Sequence, residues 1–139
     1  MRECVDLEQR GRGAAGLRMG RGGEILCRMN EPFVRSENAP WQRTNDVGVR
    51  RQILGHGPDL MLVRVEFEAG AVGALHHHSH RQASYVAAGR FEVTVDGERT
   101  ELGVGDCFYV TADKVHGVVA REAGTLIDVF TPARLDFFS

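Results

Sequence analysis

Between residues 49 and 130 the sequence is made of short runs of β-forming residues, with turn residues about every eight to twelve positions. The runs at 60–67 and 91–95 alternate apolar and polar side chains, which buries one face of a strand and leaves the other in water. No stretch has the periodicity of an amphipathic helix. We therefore expect an all-β fold of roughly nine or ten antiparallel strands, closed into a barrel or a double sheet that can hold a ligand inside.

Turn residues mark where these strands end. Asp96-Gly97 lies between two alternating runs, which is a strong signal for a tight β-hairpin. Pro132 follows the run at 126–130 and ends the last strand, because proline cannot donate to a β-ladder.

The N-terminal residues 1–28 differ from the rest of the chain. They alternate arginine with glycine, a composition with little to bury and high backbone entropy. We expect a disordered leader there and a single domain over residues 29–139. Contact of the leader with RNA or phosphate is an alternative reading of the same composition.

Composition and charge narrow the class of protein. The net charge of −2 argues against binding to nucleic acid or to a membrane surface as the main activity, so we expect a small-molecule partner. No apolar run is long enough for a membrane span or a secretory signal. Three scattered cysteines, Cys4, Cys27 and Cys107, read as free thiols in a reducing cytoplasm.

Histidines provide the most specific chemical signal. His76 and His78 are two positions apart, so in a strand they share a face and can point at one metal ion. His116, near the start of a later strand, can complete a three-imidazole site if the two strands meet. A solvated histidine-rich turn is the alternative. His77 falls on the opposite face and His80 near the turn, so we do not expect either to be a ligand.

An acidic residue interrupts the last apolar strand. Asp128 and Phe130 share one face, whereas Ile127 and Val129 share the other. An aspartate in such a strand must face something polar, and two roles stay open, a structural hydrogen bond or a functional carboxylate. Arg134, taken by itself, reads as a surface charge.

These motifs resemble the cupin family. Its first motif has a glycine, a His-x-His pair, a glutamate and a second glycine at fixed spacing, and those positions hold Gly70, His76, His78, Gln82 and Gly89. The second motif is degenerate, because Thr111, Asp113 and Ala120 replace the usual proline, glycine and asparagine. The resemblance implies a jelly-roll β-barrel, also called a double-stranded β-helix, with one divalent transition metal.

Within that family, the segments 70–82, 89–93 and 128–134 resemble the small cupins of the KdgF type. This likeness implies a metal held by the three histidines and Gln82, and catalytic roles for Asp128, Phe130 and Arg134. It also implies conversion of 4,5-unsaturated monouronates, released from pectin or alginate, into linear keto sugar acids. Proton transfer by the aspartate, a carboxylate pair with the arginine and a pocket wall formed by the phenylalanine would then be expected.

Glutamine in the ligand set has an electrostatic consequence. Three imidazoles and an amide leave the double charge of the ion unneutralised, which makes it a stronger Lewis acid and favours an anionic ligand such as a uronate. Nickel, zinc, iron, manganese and copper all accept these donors. A cupin dioxygenase and a non-catalytic sugar-acid binding module are the alternative functions. The resemblance also implies a homodimer.

Overall fold

Residues 31–139 are the part of the chain that the computed structural model describes, and they form ten β-strands and two short 3-10 helices. The strands are β1 (Trp41–Arg43), β2 (Val49–His56), β3 (Met61–Phe67), β4 (Val72–His76), β5 (Arg81–Ala88), β6 (Arg90–Val95), β7 (Glu98–Gly103), β8 (Cys107–Val110), β9 (His116–Ala120) and β10 (Gly124–Thr131). The 3-10 helices are Ser36–Asn38 and Leu135–Phe138. The expected leader at residues 1–28 lies outside the described residues.

The strands form two antiparallel sheets. One has six strands in the order β1-β2-β3-β10-β5-β8, and the other has four in the order β4-β9-β6-β7. The all-β prediction is confirmed, and the strand number agrees with the predicted nine or ten. β1 precedes the alternating region and is not predicted by the sequence.

The core lies between the two sheets, because the apolar rows of both face inward. On β3 the buried residues alternate with more exposed ones, as the sequence pattern predicts. Phe67 of this strand meets Phe91 of β6 edge to face, with ring centroids 5.1 Å apart. Edge-to-face contact adds a favourable quadrupole interaction to the apolar burial, so this pair helps join the sheets.

Two turns require glycine for different reasons. Asp96 and Gly97 have φ values of 50° and 82°, the left-handed pair of a type I′ hairpin, which confirms the predicted turn between β6 and β7. At Gly89 φ is 81°, and a Cβ atom would lie 2.6 Å from the carbonyl oxygen of Ala123. The second motif glycine therefore permits the close approach of the chain at the start of β10.

Two further sequence expectations concern the described residues. No helix among residues 31–139 is long and apolar enough to cross a membrane. Cys107 is a free, exposed thiol, whereas Cys4 and Cys27 lie outside the described residues.

Candidate metal centre

Three histidines converge between the two sheets. His76 ends β4 and His116 begins β9, and the two are direct partners in the antiparallel register. His78 follows in the loop before β5. One ring nitrogen from each of the three lies within 4.8 Å of the others. The geometry therefore brings together the three imidazoles that the sequence predicts.

Backbone carbonyls fix the orientation of all three rings. The Nδ1–H groups of His76, His78 and His116 donate to the carbonyl oxygens of residues 74, 80 and 114 at 2.8, 3.0 and 2.8 Å. A carbonyl oxygen can only accept, so Nδ1 carries the proton and Nε2 keeps its lone pair. Such hydrogen bonds behind the ring are typical of histidines that ligate metals.

Burial keeps two of these lone pairs, those of His78 and His116, available at neutral pH. Desolvation is the main cause that lowers the pKa of His116 to about 4. Desolvation, followed by the positive charge of Arg134, lowers the pKa of His78. Both imidazoles are therefore neutral at pH 7, as a metal ligand must be.

Gln82, one of the buried, inward-facing residues of β5, is the fourth candidate ligand. Its Nε2 donates to Ser84 Oγ at 2.8 Å, which leaves its Oε1 pointing at His78 Nε2, 3.1 Å away. Both of these facing atoms are acceptors, so they repel each other unless a cation lies beside them. The amide orientation therefore fits a shared metal ion.

His116 provides an independent test of this fit. Its Nε2 is buried and has no hydrogen-bond partner within residues 31–139. An unsatisfied buried acceptor is costly, and a coordinated cation satisfies it. Three imidazole nitrogens and one amide oxygen form a donor set that borderline first-row ions accept.

Two neighbouring histidines lie outside this cluster. His77 is exposed and is not one of the three converging histidines. His80 meets His78 edge to face with ring centroids 5.5 Å apart, but it is not one of the three converging histidines. Both therefore lack the placement of a ligand.

A cavity of about 340 Å³ opens beside the histidines and holds the predicted catalytic residues. Asp128, Phe130 and Arg134 all line it, together with His76, Gln82 and His116. The alternation in β10 is as predicted, with Asp128 and Phe130 buried on the inward face. The structure thus places the three predicted catalytic residues and three of the four predicted ligands around one space.

Asp128 is connected through Ser84 to Gln82, the fourth candidate ligand. Ser84 Oγ donates to Asp128 Oδ1 at 2.6 Å and accepts from Gln82, and Ser84 is fully buried. Burial is the main cause that raises the pKa of Asp128 to about 6, against the opposing effects of Ser84 and Arg134. The carboxylate can therefore exchange a proton near neutral pH.

Arg134 is less free than the sequence suggests. Its Nε and Nη2 donate to the two carboxylate oxygens of Asp136 at 2.9 and 2.7 Å. Its guanidinium carbon lies 5.2 Å from the Phe130 ring centroid and 4.4 Å from that of Phe137. One bidentate edge of this arginine is occupied, and only its other end can reach a ligand in the cavity.

Two residues of this region are not predicted from the sequence, namely Arg51, which lines the cavity, and Ser84, which is buried behind it. The alternation that singles out Asp128 also applies to Arg51, which lies between Val49 and Ile53 on the inward face of β2. Ser84 has no such signal, because a buried serine is indistinguishable in sequence from any small strand residue.

The structure explains one departure from the second cupin motif, the aspartate at position 113. This residue adopts φ of 64°, where the family pattern has glycine, and aspartate tolerates the left-handed region better than most residues. Its backbone N–H donates to the carbonyl oxygen of His78 at 2.7 Å. The substituted loop therefore still supports the histidine loop.

We expect Ser84→Ala to lower the affinity of the candidate centre for a metal ion. Without Ser84 Oγ the Gln82 amide loses the acceptor that fixes its orientation, and Asp128 loses a donor, so its pKa should rise further. Loss of such supporting contacts costs about ten- to a hundred-fold in metal affinity. Competition with a chromogenic chelator measures this change, and Ser79→Ala in the exposed loop is the matched control. Equal metal affinity in both variants would show that the serine does not position the glutamine.

Comparison with known proteins identifies cupins as relatives of this chain. Residues 63–130 match the family described as the cupin domain. The pectin degradation protein KdgF of Dickeya dadantii (strain 3937) is 44% identical over 111 residues, which cover 78% of this chain and 99% of that protein.

Solved structures agree with this result. An RmlC-like cupin from Shewanella frigidimarina NCIMB 400 has a TM-score of 0.75 and 42% identity, and the match covers 78% of this chain and 97% of that one. KdgF from Halomonas sp. has a TM-score of 0.73 and 41% identity, with coverage of 78% and 99%.

Proposed function

The chain belongs to the KdgF group of the cupin family, and from this premise we propose that it is a metalloenzyme that converts 4,5-unsaturated monouronates into linear keto sugar acids. One observation carries the proposal. Four candidate metal donors, three imidazoles and one amide, lie beside a cavity with a buried carboxylate of raised pKa, and Ser84 joins the amide to that carboxylate. The name of the Dickeya relative supports pectin breakdown as the source of the substrate.

For the fold we propose closure of the two sheets into a jelly-roll barrel, with residues 29–139 as one cupin domain. The inward rows of both sheets meet in a common core, which supports this architecture. We also propose a homodimer and a cytoplasmic location, both from the family resemblance.

The reaction is an isomerisation that leaves the proton count unchanged. The hydroxyl at C1 loses a proton, the bond between C1 and the ring oxygen breaks, and the enol formed at C5 becomes a ketone when C4 gains a proton. A single group that takes the first proton and returns it to C4 balances the reaction.

Asp128 is the group suited to this transfer. It lies at the cavity wall, and Ser84 leaves one of its carboxylate oxygens, Oδ2, without a partner from that serine. A carboxylate with pKa of about 6 is a base strong enough to accept a hydroxyl proton in an organised site and acid enough to release it. Phe130 forms the apolar wall beside it, and Arg134 supplies positive charge for the uronate carboxylate.

His76, His78, Gln82 and His116 would hold the metal ion. When bound, the ion supplies Lewis-acid polarisation of a substrate oxygen. The residues that line the cavity orient the sugar and restrict water, which keeps proton transfer within the site.

The proposed function is tested by following the absorbance of the substrate's conjugated double bond, which the reaction removes. Purified protein, loaded in turn with nickel, zinc, iron and manganese, is incubated with unsaturated monouronate, and absorbance should fall faster than in the protein-free reaction. Oxygen is measured in the same vessel. Oxygen consumption would favour a cupin dioxygenase, and binding of the uronate without absorbance loss would favour a sugar-acid binding module.

A further inference from the structure

We propose that Arg51 is a second anion-binding residue of the cavity, which holds the carboxylate of the sugar acid together with the free end of Arg134. This inference rests on the proposed function for the identity of the anion. It assigns a substrate-binding role to a strand outside both cupin motifs.

Arg51 occupies an inward position on β2. It is the direct partner of Val65 on β3, and residues opposite each other in a sheet share a face. Val65 is buried and lines the cavity, as Arg51 also does. An arginine in this apolar row is half-buried, where a charge is expensive unless a partner or ligand compensates it.

The structure provides Arg51 with a neutral partner only. Its Nε donates to Gln42 Oε1 at 2.9 Å, across the β1–β2 pair. Among the described residues, Arg51 forms no ion pair with a carboxylate within 4.0 Å. A guanidinium has five N–H donors, so the terminal nitrogens keep the fork that binds a carboxylate bidentately.

Arg51 and Arg134 approach the same aromatic ring. Their guanidinium carbons lie 3.6 and 4.4 Å from the Phe137 ring centroid, so the two groups cannot be farther apart than the sum of these distances. Arg134 has one edge occupied by Asp136. The two terminal nitrogens of Arg51 therefore remain available to a carboxylate. The free end of Arg134 lies near enough to contact the same anion.

Electrostatics favour an anion at this place. Burial, and then the positive charge of Arg134, lower the pKa of Arg51, and Asp136 opposes this effect. Asp46 and Asp128 also line the cavity, but neither forms an ion pair with Arg51 in the described structure. A bound carboxylate relieves the repulsion between the two guanidinium groups.

Arg51→Met tests the assignment, because methionine keeps an apolar stem against Phe137 and removes the charge. We expect the KM for unsaturated monouronate to rise about ten- to a hundred-fold, with kcat within about threefold of wild type. Calorimetric titration of the same uronate into Asp128→Asn protein, with and without Arg51→Met, should show a rise in Kd of the same size. Arg51→Lys keeps the charge without the fork and should recover part of the affinity.

Arg50→Met is the matched control on the same strand. Arg50 is exposed, pairs with Glu66 and stacks on Trp41 outside the cavity, so its removal should leave KM and Kd unchanged. Unchanged KM and Kd in both Arg51 variants would overturn the assignment. Wild-type protein that binds the uronate without converting it would overturn the proposed function alone, because Kd still tests Arg51. Failure of wild-type protein to bind the uronate would overturn both.

Discussion

Joint replacement of His76 and His78 by alanine is expected to give a folded chain that holds no divalent metal and converts no uronate. These are two of the three converging imidazoles, and neither belongs to the hydrophobic core. Even the supporting contacts of a metal ligand contribute about ten- to a hundred-fold to affinity, and removal of two ligands should cost more. Elemental analysis after dialysis and the absorbance assay measure both losses.

His77→Ala is the matched control for this experiment. The residue lies between the two ligands in sequence but is exposed and outside the cluster, so it should keep about one metal per chain. A folded double variant that retained one equivalent of metal would contradict the assigned site.

Local sequence pattern predicts much of this fold. The alternation at 60–67 reappears as the buried and more exposed positions of β3, and Asp96-Gly97 forms the predicted hairpin. Both features depend on neighbours in sequence, namely side chains two positions apart and the φ preferences of adjacent residues. The His-x-His pair is local in the same sense.

Other parts of the site depend on contacts that sequence does not encode locally. Ser84 gains its role only because β5 pairs with β10 in a register that places it opposite Asp128. β1 has three residues, too few to show a period. The pairing of Arg134 with Asp136 follows from the 3-10 turn after β10, so the sequence does not reveal that one edge of this arginine is occupied.

Asp128→Asn is expected to lose about a hundred- to ten-thousand-fold in turnover while it keeps its metal. The amide oxygen can still accept from Ser84 Oγ, so the hydrogen bond across β5 and β10 is preserved. The amide cannot take up and return a proton. Turnover reports the loss of proton transfer, and metal content reports whether the metal site is intact. Both are measured on one preparation. Asp96→Asn at the exposed hairpin is the matched control and should retain wild-type turnover.

Stability reports the burial cost of the Asp128 carboxylate, and turnover reports its role in proton transfer. Burial raises the pKa of Asp128 from its usual 3.8 to about 6, so the unfolded chain releases this proton at lower pH than the folded chain does. The contribution of Asp128 to folding stability therefore falls as pH rises from about 4 to about 6, by up to about 3 kcal/mol. Asparagine removes this cost, and the variant should melt no lower than wild type at pH 7. If the aspartate served only as a structural partner, the turnover of the folded Asp128→Asn protein would stay intact, whatever the change in its melting temperature. A stable, metal-loaded and fully active Asp128→Asn protein would likewise contradict its role in proton transfer.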